Sequence, residues 1–135
     1  MTLITDFCEG GSLEDVLLNN KLKYPVGIPE EMAIGYLNEL VEGFYEMQKH
    51  KILHWDLKLA NILVKNGHLV IADFGFAKMG VSITDSKLGT PYYMAPEILN
   101  RVKETYSSKV DVWSIGICFY YMLFGAFPFN GNTNI

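Results

Sequence analysis

Arginine is almost absent from this chain: Arg101 is the only one among eleven basic residues, against fifteen acidic ones, and the formal net charge is −4. The basic side chains are scattered rather than gathered into a stripe, so the sequence carries no footprint for nucleic acid or an anionic membrane. Cysteine is equally sparse. Cys8 and Cys118 stand far apart in no metal-ligand or redox spacing, which predicts free thiols and a cytosolic setting. The first residues, MTLITDFCEGG, lack a basic stretch followed by an apolar run and do not read as a secretory signal. Repeats and low-complexity linkers are missing too. What is present is a 135-residue chain, half apolar and 19% charged, enough for one buried core and a single domain or part of one.

From Val112 to Phe129 there are eighteen residues without a charge, which is long enough to raise a membrane span. Its punctuation argues otherwise. Ser108 followed by Asp111 forms a capping-box pattern, and Gly125 with Pro128 supplies stop signals, so the predicted helix runs from Lys109 to Phe124. At about 1.5 Å per residue it reaches ~24 Å, short of the ~30 Å hydrocarbon core. A buried core helix is the expectation, and no membrane partner.

Earlier in the chain, Leu3 to Cys8 is predicted as a short strand, broken by Gly10-Gly11 before Ser12 to Asp15 opens a helix with its own capping pattern. Pro29-Glu30-Glu31 starts a long helix in which Ala33, Leu37, Leu40, Val41 and Phe44 recur at helical spacing, ending near residues 49–51. Strands at Ile62–Val64 and Leu69–Ala72 flank Lys65-Asn66-Gly67-His68, where Asn-Gly between apolar runs signals a hairpin. From Asp73 to Ile98 the chain reads as loop.

A two-residue turn at Asn66-Gly67 pairs Lys65 with His68, Leu63 with Val70 and Asn61 with Ala72, bringing Asn61 and Asp73 to the hairpin's open end. An amide oxygen beside a carboxylate suits Mg2+, which takes one or two protein oxygens and completes its octahedron with phosphate and water. Just upstream, Asp56 offers an acceptor for a hydroxyl proton and Lys58 a cation for a phosphoryl group. The four polar groups converge in one place.

The segments H54-W-D-L-K-L-A-N61, D73-F-G75, G89-T-P-Y-Y-M-A-P-E97 and D111-V-W-S-I-G116, taken together, resemble the protein-kinase signature set, over essentially the whole chain. The resemblance implies an α+β kinase fold: a hinge strand and linker over residues 1–11, then a mostly helical, incomplete large lobe over 12–135 with a small catalytic-loop hairpin. It implies that Asp56 is the catalytic base, that Lys58 contacts the transferred phosphate, and that Asn61 and Asp73 hold Mg2+. Thr5 would be the gatekeeper, the backbone of Asp6 and Cys8 the adenine-binding hinge, and Leu63 the floor beneath the adenine of ATP. His54 and Phe74 would be internal packing residues, and Asp111 an anchor for the catalytic-loop backbone. Glu97 would be a structural acid paired with a later arginine. Lys58 with Thr90 resembles the serine/threonine branch, which makes a protein hydroxyl the expected substrate.

Two departures accompany the resemblance. The Gly-rich loop, the strand lysine, its partner glutamate and the arginine for Glu97 are not among these residues. The expectation is therefore a fragment inactive alone and prone to aggregate through Trp113, Phe119, Tyr120 and Phe124, the rival reading being a truncated scaffold that binds without catalysis. The second departure is Trp55, where the resemblance implies an arginine that receives the activation-loop phosphate. An indole has neither its charge nor its fork of donors, so dependence on phosphorylation at Ser82, Thr84 or Ser86 is not expected, with Lys78 the one evident cation. Ser12 and Ala60 stand where relatives selective for basic peptides carry acids, leaving Glu9, Glu14 and Asp15 to compensate.

Overall fold

Residues 4–79, 90–100 and 106–129 are described by the computed structural model. Its first helix, α1 (Leu13–Asn19), begins on the predicted capping box. Ser12 Oγ accepts the Asp15 N–H at 3.1 Å, and Asp15 Oδ2 accepts both the Ser12 N–H (3.1 Å) and its hydroxyl (2.6 Å). Gly10 lies so close to the hairpin that a Cβ there would stand 2.6 Å from that of Val64. The Gly10 N–H donates to Val64 O and the Val64 N–H to Gly11 O, so the linker is laced onto the hairpin. Residues 4–8 form no strand, contrary to expectation, because no neighbouring strand among the described residues supplies a ladder. Ile4 and Phe7 are 91% and 83% exposed.

Helix α2 (Glu30–Lys49) opens after Pro29 with Glu30 and Glu31 in its first turn and closes with Lys49 in its last, the charge arrangement its dipole favours. Ala33, Leu40 and Met47 form its buried seam, whereas Val41, expected in the core, faces solvent. Strand β1 (Ile52–Leu53) leads into the loop that carries Asp56. Strands β2 (Ile62–Lys65) and β3 (His68–Ile71) make the predicted hairpin in the predicted register, Leu63 opposite Val70 and Lys65 opposite His68. Positive φ at Asn66 and Gly67 is the signature of the tight turn that Asn-Gly favours. Glu39 on α2 accepts the Leu69 N–H at 2.6 Å, tying hairpin to helix.

The stretch after Asp73 is more structured than expected. A 3-10 turn spans Phe74–Phe76, β4 (Lys78–Met79) pairs antiparallel with β1, a second 3-10 turn spans Pro91–Tyr93, and a short helix α3 covers Pro96–Leu99. Ser82, Thr84 and Ser86 lie outside the described residues.

Helix α4 (Lys109–Phe124) has the predicted limits and ends on Gly125 in the left-handed region, its N–H donating to Tyr121 O at 2.8 Å. The predicted box at its start does not form. Ser108 is itself helical and makes no side-chain cap, because the Asp111 carboxylate is turned into the core toward the backbone of His54 and Trp55. No described helix is long and apolar enough to cross a membrane. Buried Ile117, Cys118 and Met122 of α4 meet Leu13, Leu40 and Ile62 in one core. A second core joins Leu53, Trp55, Ala95, Ile98, Tyr106 and Val110. Of the aromatics expected to be uncovered, Tyr120 and Phe124 are exposed with rings 4.5 Å apart, while Trp113 and Phe119 are half-buried.

Candidate active site

The loop between β1 and β2 is held from below by one buried carboxylate. Asp111 Oδ2 accepts the His54 N–H at 2.8 Å, and Oδ1 accepts the Trp55 N–H at 2.9 Å. Burial pushes the Asp111 carboxyl above the usual carboxylate range, against the pull of these two amides. Its use of both oxygens as acceptors makes it irreplaceable by its amide. Asp111→Asn would turn an NH2 group against one of the two N–H donors, and a loss of about 1–3 kcal/mol is expected. Chemical denaturation of the full-length protein measures it; a midpoint unchanged from wild type would contradict the anchoring role.

His54, fully buried, joins three segments. Its Nε2 lies 2.9 Å from Ala72 O and its Nδ1 accepts the Asp56 N–H at 3.4 Å, which selects the tautomer protonated at Nε2. Its ring also packs 4.9 Å from that of Phe74. His54 is internal as expected and bridges the Asp73 segment to Asp56, whereas Phe74, expected to be internal, is 45% exposed and packs on the imidazole from the surface.

Around the buried Asp56 the geometry is dense. Lys58 Nζ lies 2.8 Å from Asp56 Oδ2, Asn61 Nδ2 donates to the same oxygen at 3.1 Å, and Thr90 Oγ1 donates to Oδ1 at 3.2 Å. Lys58 also donates to Thr90 Oγ1 at 3.1 Å, closing a triangle. Asn61 donates further to Asp56 O at 2.9 Å. These bonds occupy its Nδ2 and leave its Oδ1 as the acceptor not used on Asp56. Sequence reasoning missed this role of Asn61 in orienting Asp56.

Asp73 follows Ala72, whose N–H donates to Asn61 O at 2.9 Å, so the backbone brings residues 61 and 73 to the hairpin mouth. Their side chains are not bonded to each other among the described residues. Asp73 is exposed, in the left-handed region, and one oxygen accepts the Gly75 N–H at 3.3 Å. The described residues contain no cluster of three or more acidic, histidine or cysteine groups able to hold a metal. An amide oxygen and a carboxylate oxygen are nevertheless the donor set that fits a hard ion brought in with phosphates.

On the other side of the hairpin, half-buried Leu63 bridges to Ser12 across the linker. Thr5 and Asp6 are exposed and Cys8 half-buried, its carbonyl accepting the Gly11 N–H at 3.2 Å. Lys65 pairs with Asp6 at 2.6 Å, and Glu9 accepts the Asn66 N–H, so the linker is pinned to the hairpin turn. Lys65 holds the Asp6 carboxyl below its ordinary range. Glu97 stands half-buried in the first turn of α3.

With this geometry in place, the family is settled by comparison. The chain belongs to the protein kinases: the family model described as protein kinase domain matches residues 1–135. It is 41% identical over 120 residues to Serine/threonine-protein kinase fray1 of Dictyostelium discoideum, covering 85% of this chain and 20% of that protein. Against Serine/threonine-protein kinase chk1 of Schizosaccharomyces pombe it is 40% identical, covering 95% of this chain and 25% of the relative. Against cAMP-dependent protein kinase type 3 of Saccharomyces cerevisiae it is 38% identical over 97% of this chain and 32% of the relative. The chain thus spans a fifth to a third of the length of these relatives.

Trp55 bears on regulation. Its indole is 5% exposed and packed edge-on against Tyr106, with no charge offered at that position. Lys78 is exposed on β4, opposite Leu53. Phosphatase treatment of the full-length protein is therefore expected to change its rate by no more than about threefold, since a single flexible ammonium orders a phosphorylated loop poorly. Loss of most activity on dephosphorylation would refute this.

Proposed function

We propose that residues 1–135 form the large-lobe side of a kinase site that transfers the γ-phosphoryl group of ATP to a serine or threonine hydroxyl of a protein. The observation that carries the reading is the Asp56–Lys58–Thr90 triangle beside Asn61 at the hairpin mouth. Asp56 accepts the proton of the incoming hydroxyl and orients its oxygen. Lys58, 2.8 Å from that carboxylate, holds positive charge where charge develops on the phosphoryl oxygens. Asn61 and Asp73 would hold Mg2+ through their side-chain oxygens, and Leu63 with the backbone of Asp6 and Cys8 would cradle the adenine. Bound Mg-ATP contributes the transferable group and neutralises its phosphate charge. Free Cys8 and Cys118 fit a reducing compartment.

Two of the carboxylates that could select basic substrates are engaged internally, Asp15 by Ser12 and Glu9 by Asn66. No strong preference for arginine before the target residue is expected, and a positional peptide library checks it; marked arginine selection would overturn this half. The reading as a whole is tested by radiolabelled ATP with the full-length protein and phosphoamino-acid analysis of the product. Phosphoserine or phosphothreonine is expected. Binding of partners without any transfer would favour the scaffold reading instead.

A further inference from the structure

We infer that Trp55 is a positioning residue for Asp56, its indole holding the turn that aims the carboxylate and fastening residues 90–99 to the catalytic loop. The inference rests on the function proposed above. Trp55 has φ +73°, a left-handed conformation that a bulky residue keeps only where its surroundings over-determine it. Here they do so from two sides. Asp111 grips the N–H groups of His54 and Trp55, and the indole is buried in the second core. There its ring meets that of Tyr106 edge-on, centroids 5.3 Å apart at 72°.

The same core contains Ala95 and Ile98, from the segment that begins with Thr90. Two tethers therefore join this segment to the loop. One is polar, Thr90 to Asp56 and Lys58; the other is apolar, Trp55 in the core with Ala95 and Ile98. Between them lies only a small cavity of about 10 Å³, lined by Trp55, Asp56, Thr90, Tyr93 and Met94, so the two tethers close tightly on one another. Trp55 thus fixes the direction of Asp56, one peptide bond away, and the seat of the segment that carries Thr90. The proposed nucleotide side is held by different bonds, from the Ala72 N–H to Asn61 O and between Gly10, Gly11 and Val64.

Steady-state kinetics on the full-length protein, with a thermal melt of every variant, test this. Trp55→Asn keeps a residue tolerant of the left-handed turn but removes the indole. A fall of about 10- to 100-fold in kcat is expected, with KM for ATP within about twofold of wild type. Trp55→Phe should restore kcat to within about fivefold of wild type, since a ring still fills the core. If the asparagine variant does not fold, Tyr106→Leu serves in its place, with an expected kcat loss of about three- to tenfold at unchanged KM for ATP. Wild-type kcat in a folded Trp55→Asn or, failing that, Tyr106→Leu protein would overturn the inference. So would a parallel change in kcat, both KM values and melting temperature, the mark of general destabilisation. Undiminished turnover by Asp56→Asn would instead strike the proposed function and leave the packing of Trp55 untouched.

Discussion

Asp56→Asn in the full-length protein is expected to lower kcat by about 10²- to 10⁴-fold while leaving nucleotide affinity within a factor of about two. The carboxylate accepts from Thr90 on Oδ1 and from Lys58 and Asn61 on Oδ2. An amide would keep one acceptor and point an NH2 at a donor, so the substitution removes the base and disturbs its neighbours together. None of those donors is assigned to the adenine, and Asn61 meets Asp56 through Nδ2 and not through the Oδ1 proposed for Mg2+, which is why binding should survive. Asp73→Asn should behave in the opposite way. Asp73 is exposed at the hairpin mouth with one oxygen accepting the Gly75 N–H, so its loss falls on productive Mg-ATP binding. Titration with Mg-ATP and single-turnover measurements on both variants separate the two roles. Identical affinities and identical rates would show that the division of labour assigned to them is wrong.

Local signals were the ones most legible in the sequence. The capping box at Ser12, the Asn-Gly turn and the stop at Gly125 each depend on a few neighbouring residues, and all three stand where the pattern places them. The same kind of pattern at Ser108 misled, because Asp111 is recruited by amides 57 and 56 residues away, a tertiary claim no local rule contains. Strand β4 was invisible for a related reason: two residues in length, it exists only through pairing with Ile52 and Leu53. The segment at residues 4–8 shows the converse. Its apolar composition reads as strand, yet a strand is defined by the ladder it joins.

At the site, residue types and order were readable, but bonding was not. Asn61 was read as an oxygen donor for a metal, and its amide nitrogen proves equally important to Asp56. Thr90 was read, with Lys58, as a mark of the serine/threonine branch, and its hydroxyl closes the triangle with Asp56 and Lys58. Both facts join residues distant in sequence through groups whose alternatives are equally good in a loop. Trp55 shows the limit in its sharpest form. Its identity predicted the absence of a charge; only its burial against Tyr106 shows what stands in the place of one.

Residues 1–135 expressed by themselves are expected to transfer phosphate at least about a thousandfold more slowly than the full-length protein, because positioning supplies most of the rate in this chemistry. In the proposed site Lys58, Asn61 and Asp73 would meet the phosphates from the hairpin side only. On the proposed adenine side the described residues offer little apolar cover. Thr5 and Asp6 lie on a segment that pairs with no strand among the described residues, and Ile4 and Phe7 beside them are almost wholly in solvent. A nucleotide resting there would contact Leu63 and little else of the apolar kind, so both its residence and its alignment suffer. The matched relatives are three to five times longer in proportion to the region they share with this chain. Radiolabelled ATP and one common peptide, offered to both preparations at equal concentration, decide the matter. Turnover by residues 1–135 within about tenfold of the full-length protein would mean that Asp56, Lys58, Asn61 and Asp73 position the reacting groups unaided, and the dependence on further phosphate contacts would have to be abandoned.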